Sequence, residues 1–219
     1  EMVAGMVHPV SLCGSIHDAI IVGIGYPQGD DAVEAFRVNF TRRNADLTPV
    51  RDEAEEQGME AQHKRPAPTG DSANFLKFLQ NELIPMIERD FRADPAKRIL
   101  AGHSYGGLFG AYTLFEAPEL FESYIIGSPT LSYGDRFVFQ QEETYSRGHK
   151  SLPAKVYLYA GDEEAANDTT LTDTLRFGAL LESRHYEGFI LKKTLFMDDN
   201  HCQVIVPGFH WGLSHALRK

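Results

Sequence analysis

The chain has 219 residues, 42% of them hydrophobic and 24% charged, which is typical of one compact globular domain with a large core. Its formal net charge of −10 argues against nucleic acid or an anionic membrane as a partner, because neither favours an acidic surface. No apolar run approaches the ~20 residues that span a bilayer, so we expect a soluble protein. Its compartment, cytoplasmic or periplasmic, stays open.

The first predicted elements lie before residue 95. Residues 19–25 (AIIVGIG) form a β-branched run closed by glycine, which predicts a buried parallel strand. Residues 51–72 begin with a charged stretch and continue with one that contains proline and glycine, which indicates a segment on the surface. An apolar spacing typical of a helix then runs from Ser72 to Phe91, and Pro95 ends it.

Residues 98–107 (RILAGHSYGG) combine a short apolar run, a Gly-x-Ser-x-Gly motif and the start of a helical pattern. This strand–turn–helix context is typical of a nucleophile elbow, in which a serine on a tight turn exposes its hydroxyl. Side chains at Gly102 and Gly106 would collide with neighbouring backbone, and Gly107 allows the helix to pack closely. We therefore predict that Ser104 is a catalytic nucleophile and not merely a helix cap.

Further strands and helices alternate after the elbow. The predicted strands cover residues 123–127, 155–161 and 189–196, and the predicted helices cover residues 171–185 and 202–217. This order predicts an α/β fold with a mostly parallel sheet and helices on both faces. We expect it to form one domain over residues 1–219, with a cap insertion at about 131–153.

Candidate catalytic groups follow three of the strands, because active groups of such sheets collect at the carboxyl ends of strands. Ser104 follows the strand of the elbow, the acidic residues 162–164 follow a later strand, and His201 follows the last one. The histidine would accept the serine proton, and a carboxylate would hold its ring in the correct tautomer. His103 is set aside, because its side chain points away from that of the serine. On position alone, Asp162 and Glu164 are near-equal candidates for the acid.

Several segments resemble the enterochelin-esterase-like branch of the α/β hydrolases. They are residues 20–27 (IIVGIGYP), 42–49 (RRNADLTP), 75–87 (FLKFLQNELIPMI), 98–109 (RILAGHSYGGLF), 128–129 (SP), 156–164 (VYLYAGDEE) and 200–204 (NHCQV). The resemblance implies an α/β-hydrolase fold and hydrolysis of esters, among them trilactones of catecholate siderophores. The Gly-x-x-Glu of the branch falls on residues 161–164, which favours Glu164 as the acid. Some members work largely as a Ser–His dyad.

The resemblance also implies an oxyanion hole with two backbone donors. One is the N–H of Tyr105, and the other belongs to a turn that would fall at or just before Glu1. A missing donor costs about 3–4 kcal/mol of transition-state stabilisation. We therefore expect strands to precede Glu1 in the natural protein, the alternative being a shortened variant.

Three residues are candidates for substrate contact. The resemblance implies that Arg42 and Arg43 border the cleft, where an arginine can hold an anionic or catecholate group. Alternatively, they are surface residues that pair with Asp46 or nearby acids. The aromatic segment 131–153, which carries Tyr133, either covers an acyl or aryl pocket or packs as a cap on its own small core.

Cysteine usage indicates no metal site, since Cys13 and Cys202 lie far apart and fit no metal-ligand spacing. They are either two buried thiols or one disulfide. We expect no metal and no cofactor, and the oligomeric state stays open.

These observations together predict a serine esterase that hydrolyses a small-molecule carboxylic ester, of siderophore or aryl type, through an acyl-enzyme on Ser104. Two alternatives stay open. One is an acyltransferase with the same triad, and the other is a non-catalytic binding module on a hydrolase scaffold.

Overall fold

The computed structural model describes residues 16–26, 32–166 and 169–218. It divides the chain into two compact units. The first, here called the sheet unit, contains described residues up to 21 together with residues 93–132 and 138–218. The second, the helical unit, contains residues 133–137 and the described residues between 22 and 92. The prediction of one domain with a cap stays a prediction.

Parallel strands form the centre of the sheet unit. In the described residues they are β1 (Ile99–His103), β2 (Ser123–Gly127), β3 (Lys155–Gly161) and β4 (Ile190–Phe196), and they pair in that order. Ile99 pairs with Ser123, Ser123 with Lys155, and Lys155 with Ile190. Because their first residues are in register, the carboxyl ends of neighbouring strands lie side by side.

Helices cover both faces of this sheet. Those that pack on its strands are α5 (Tyr105–Glu116), α7 (Thr170–Arg184) and α8 (Ile205–Ala216). Between β2 and β3 in the chain lies α6 (Tyr133–Gly148). A Cβ added at Gly212 in α8 would meet Ile125, whereas one added at Gly110 in α5 would meet the next residue, Ile126. Successive residues of a strand point to opposite faces, so α5 and α8 lie on opposite sides of β2. The predicted α/β fold, with a parallel sheet between helices, is confirmed.

Helices make up the helical unit. They are α1 (Ala32–Leu47), α2 (Glu53–His63), α3 (Ser72–Phe78), a π-helix (Leu79–Leu83) and α4 (Ile84–Asp90). The predicted helix from Ser72 to Phe91 is confirmed, and the predicted surface segment at 51–72 contains α2. Pro85 lies in the first turn of α4 and has no N–H to donate to the carbonyl of Asn81. The π-helix, which contains Asn81, lies immediately before α4.

The predicted buried strand at residues 19–25 is wrong. These residues have no strand assignment, and the side chains of Ile20, Ile21, Val22 and Ile24 are 42–47% exposed. A strand forms only where a neighbouring segment accepts and donates its backbone hydrogen bonds. No segment of the described residues does so here, and an apolar run alone does not supply them.

Candidate active site

Ser104 lies on the turn between β1 and α5 with a strained backbone. Its φ of 60° and ψ of −122° are sparsely populated by residues other than glycine. Its N–H donates to the carbonyl of Gly127 at 2.9 Å, and its own carbonyl accepts from the N–H of Leu108 at 2.9 Å. Both hydrogen bonds hold the serine in the conformation that a nucleophile elbow requires.

The glycines around Ser104 serve different purposes. A Cβ added at Gly102 would lie 2.1 Å from the carbonyl oxygen of Gly106, and one added at Gly107 would lie 2.6 Å from that of Gly127. The sequence-based expectation for Gly102 and Gly107 is therefore confirmed. It is wrong for Gly106, where an added Cβ would meet nothing within 4 Å. A side chain at Gly102 would collide with the backbone of Gly106, whereas a Cβ at Gly106 would point into open space.

Glu164 lies on a 3₁₀ turn (Asp162–Ala166) that directly follows β3. Its side chain is 1% exposed. Oε1 accepts a hydrogen bond from the hydroxyl of Ser128 at 2.6 Å and another from the backbone N–H of Gly161 at 2.8 Å. Oε2 lies 3.1 Å from Nδ1 of His201. The structure thus brings two of the predicted triad members, Glu164 and His201, into direct contact.

Opposing effects act on the ionisation of Glu164. Burial raises the pKa of its carboxyl, whereas hydrogen bonds from His201, Ser128 and Gly161 lower it, and the net result is a pKa below the ordinary value. The buried side chain is therefore a carboxylate at neutral pH. A carboxylate in contact with an imidazole fixes the ring tautomer and stabilises the imidazolium.

His201 lies between β4 and α8, on a turn that Asn200 stabilises. Oδ1 of Asn200 accepts the N–H groups of Cys202 and Gln203 at 3.0 and 3.1 Å. Because Nδ1 of His201 contacts Glu164, Nε2 is the nitrogen left for proton transfer. Within the described part of the chain no hydrogen bond joins His201 to the Ser104 hydroxyl. Catalytic hydrogen bonds often form at full strength only when substrate is bound.

The neighbours of Glu164 have other roles. Oδ1 of Asp162 accepts the backbone N–H of Asp198 at 2.8 Å, and the N–H of Glu163 donates to the carbonyl of Asp199 at 3.3 Å. The side chain of Glu163 is exposed. Of the three acidic residues, Glu164 is the one that reaches His201.

Sequence reasoning missed two side chains at this site. The ring of His103, which was set aside, lies 4.6 Å from that of His201, centroid to centroid. Its Nδ1 is 3.4 Å from the hydroxyl of Tyr159. The other side chain is Ser128, bonded to Glu164. Ser128 follows β2 as Ser104 follows β1, so the position at a strand's carboxyl end was a usable signal.

The other predicted site residues are Tyr105, in the sheet unit, and Arg42, Arg43 and Tyr133, in the helical unit. Tyr105 begins α5, where backbone N–H groups point out of the helix N-terminus, so its role as oxyanion donor stays a prediction. The predicted second donor would fall outside the described residues. Arg42 is exposed and Arg43 is half-buried, and both lie on α1 of the helical unit. In the same unit, Oδ2 of Asp46 accepts the hydroxyl of Tyr26.

The predicted cap segment forms α6. Tyr133 is buried in the helical unit, and its hydroxyl donates to the carbonyl of Val50 at 3.1 Å. Within the sheet unit, Phe139 of α6 packs edge-on against Phe177 at 5.7 Å between ring centroids. The roles of Tyr133, Arg42 and Arg43 in substrate binding stay predictions.

The described residues contain no group of three or more His, Cys, Asp or Glu side chains placed to hold a metal ion. Among the described helices, none combines the length and the apolar character needed to cross a membrane. Cys202 is exposed, which is contrary to a buried thiol at that position, and Cys13 lies outside the described residues.

Comparison with known proteins gives siderophore esterases among the relatives. The chain is 30% identical over 161 residues to the ferri-bacillibactin esterase BesA of Bacillus subtilis, covering 72% of this chain and 53% of the relative. It is 32% identical over 150 residues to the siderophore triacetylfusarinine C esterase of Aspergillus fumigatus, covering 66% of this chain and 46% of the relative. The chain thus spans about half the length of these relatives.

Solved structures match most of the chain. The BES protein from Bacillus cereus superimposes with a TM-score of 0.77 at 26% identity, over 99% of this chain and 76% of that one. The siderophore hydrolase EstA from Aspergillus nidulans gives a TM-score of 0.81 at 22% identity, over 98% and 77%. Residues 15–182 match the sequence model of the Esterase family, described as "Putative esterase". The chain therefore belongs to the Esterase family, in its enterochelin-esterase-like branch, and has an α/β-hydrolase fold.

Proposed function

We propose that this protein is a serine esterase that hydrolyses a carboxylic ester of siderophore type through an acyl-enzyme on Ser104. The proposal rests on one observation, which is that a serine, a glutamate and a histidine follow the carboxyl ends of β1, β3 and β4 in that order. Ser104 has the strained elbow backbone, and Glu164 contacts Nδ1 of His201 at 3.1 Å. A nucleophile, a base and an orienting acid are the parts that serine-catalysed acyl transfer needs.

The proposed reaction begins when Oγ of Ser104 attacks the ester carbonyl while Nε2 of His201 accepts its proton. The backbone N–H of Tyr105 stabilises the oxyanion of the tetrahedral intermediate. His201 then gives its proton to the departing alkoxide oxygen, which leaves as the alcohol, and Ser104 remains acylated. A water molecule, deprotonated by His201, then attacks the acyl carbonyl, and His201 returns the proton to Oγ of Ser104 as the carboxylic acid leaves. Glu164 keeps the proton on Nδ1 and balances the imidazolium charge in both halves of the cycle.

The relatives support an ester of siderophore type. Their names specify ferri-bacillibactin and triacetylfusarinine C. We carry this substrate class to the present chain. Arg42 and Arg43 supply positive charge suited to a catecholate or other anionic group, within a chain whose formal net charge is −10.

A substrate screen with a matched inactive variant tests the function. The protein and its Ser104→Ala variant are compared on nitrophenyl esters of short and medium acyl chains and on a catecholate trilactone. We expect the protein to cleave the trilactone and at least one nitrophenyl ester, and the variant to cleave neither. Cleavage of nitrophenyl esters alone would retain the esterase and overturn the siderophore substrate.

Two other results would favour the alternatives. A folded protein that cleaves no ester in the screen would indicate a binding module. Transfer of the acyl group to an added alcohol in strong preference to water would indicate an acyltransferase.

A further inference from the structure

Ser128 occupies a position whose backbone is unfavourable for a residue with a side chain. It directly follows β2, it is fully buried, and its φ is 37°. Left-handed backbone of this kind is uncommon outside glycine. The N–H of Ser128 donates to the carbonyl of Tyr159 in β3 at 2.7 Å, which fixes the turn against the neighbouring strand. The serine hydroxyl is thereby aimed along the carboxyl ends of the strands.

The hydroxyl of Ser128 is bound to the buried carboxylate of the site. It donates to Oε1 of Glu164 at 2.6 Å, and the N–H of Gly161 donates to the same oxygen at 2.8 Å. This leaves Oε2, at 3.1 Å, for Nδ1 of His201. Each oxygen of the carboxylate therefore has a separate task, one being anchored and the other facing the imidazole.

Anchoring one oxygen determines where the other points. A carboxylate held by one donor can rotate about its last carbon–carbon bond and exchange its two oxygens. Two donors that approach Oε1 from different strands, Ser128 after β2 and Gly161 at the end of β3, resist this rotation. Charge-assisted hydrogen bonds to a buried carboxylate are also stronger than those between neutral groups.

We propose that Ser128 is a positioning residue, whose hydroxyl holds Glu164 so that Oε2 stays directed at Nδ1 of His201. The inference rests on the proposed function. Ser128 contacts no reacting atom itself and acts through Glu164. Its hydrogen bonds to Glu164 and to the carbonyl of Tyr159 hold its left-handed backbone in place.

Ser128→Ala tests this directly, with Ser123→Ala as the matched control. Ser123 is buried at the start of the strand that Ser128 follows, and its hydroxyl has no hydrogen-bond partner among the described residues. We expect Ser128→Ala to lower kcat about tenfold with little change in KM, because the orientation of the base is used in the transition state. Ser123→Ala should leave both constants unchanged.

Two further variants separate the hydroxyl from the backbone. Ser128→Gly removes the hydroxyl and also relieves the left-handed strain, so it is expected to fold well and still to lose about as much kcat as Ser128→Ala. Ser128→Cys keeps a weak donor and should recover part of the loss. Full activity in Ser128→Gly would overturn the proposal.

A double variant and a spectroscopic signal test the route through Glu164. In a Glu164→Ala background nothing remains to be positioned, so Ser128→Ala should cause no further loss of kcat. The downfield proton resonance of the His201 Nδ1–H that contacts Glu164 should shift in Ser128→Ala and not in Ser123→Ala. Additive losses, or an unmoved resonance, would contradict the proposal.

Failure here is distinct from failure of the proposed function. Loss of turnover in Ser104→Ala, with kcat of Ser128→Ala within about twofold of the parent, would overturn the role of Ser128 alone. Normal turnover in Ser104→Ala would overturn the function on which that role depends.

Discussion

The side chain of Asp162 accepts a hydrogen bond from the backbone N–H of Asp198 at 2.8 Å. Asp162 begins the turn that carries Glu164, and Asp198 lies in the loop that leads to His201. This bond therefore joins the segments that present the acid and the base, and it assigns Asp162 a structural role. An asparagine at this position would keep an oxygen that can accept the same N–H.

Ser104→Ala should reduce ester turnover by several orders of magnitude while leaving the fold intact, because the variant removes the nucleophile. Steady-state hydrolysis and circular dichroism measure the two effects. A fluorophosphonate probe, followed by peptide mass spectrometry, should label Ser104 and no other serine. Near-normal turnover in the alanine variant would contradict the mechanism.

His201→Ala should be about as damaging as Ser104→Ala, and the double variant should be little worse than either. The two side chains act as one unit, so removing the second costs little once the first is gone. His210→Ala, a substitution of another histidine near the same end of the chain, is the control. If His210→Ala proved the more damaging, the base would lie on α8 and not at His201.

Glu164→Gln should lower turnover markedly, because an amide can favour the wrong imidazole tautomer and does not balance the imidazolium. The size of the loss in kcat is informative. A loss of about four orders of magnitude would indicate a full triad, and a loss of about tenfold a Ser–His dyad with an assisting acid.

Matched amide substitutions at the neighbouring acids are the controls for Glu164→Gln. Asp162→Asn should be mild, since the bond to Asp198 survives, and Glu163→Gln should be nearly neutral, since that side chain is exposed. A severe loss in Asp162→Asn with a mild one in Glu164→Gln would transfer the acid role to Asp162.

The contribution of Glu164 to the free energy of unfolding should decrease as the pH is lowered. Its folded-state pKa lies below the ordinary value of 4.5, so the contribution is complete above about pH 4.5 and is lost as pH falls through the folded-state pKa. The free energy of unfolding of the protein should therefore approach that of Glu164→Gln as the pH falls below about 4.5. Urea unfolding of both proteins measures this, and a gap that widens on acidification would contradict the assignment.

Alanine substitutions at Gly106 and Gly107 should have opposite effects on stability. Gly107→Ala places a Cβ 2.6 Å from the carbonyl oxygen of Gly127 and should destabilise the fold by about 1–3 kcal/mol. Gly106→Ala meets nothing and should be neutral or stabilising by up to ~1 kcal/mol, since alanine favours helix. Thermal unfolding distinguishes the two, and equal losses would mean that the elbow needs glycine for another reason.

Local sequence patterns predicted several strands together with their bounds. The strands at Ser123–Gly127 and Lys155–Gly161 are apolar runs closed by glycine, and the structure has them at the predicted bounds. The run at 19–25 has the same pattern, yet it forms no strand in the described residues. The difference lies in neighbouring segments, and hydrophobic pattern does not specify which segments become neighbours.

The candidate site could likewise be predicted only in part. The elbow around Ser104 could be predicted, because its strain and its glycines are encoded within ten residues. The position of Ser128 at the end of a strand was a usable signal. Its contact with Glu164 and the contact of His103 with His201 could not be predicted, because both depend on the register between strands. Glu164 needed a resemblance to be separated from Asp162, since a shift of two residues decides which carboxylate reaches the imidazole.

The parallel order of the strands also determines when the site forms as the chain folds. Each parallel pair joins segments that are separated by a helical crossover, so pairing follows the closure of a long loop. Ser104, Glu164 and His201 follow β1, β3 and β4, so the proposed site requires every one of these closures. A folding intermediate that has its helices but lacks the pairing of β3 with β4 contains no assembled site. If the proposed activity holds, we expect turnover to return during refolding only when the sheet is complete.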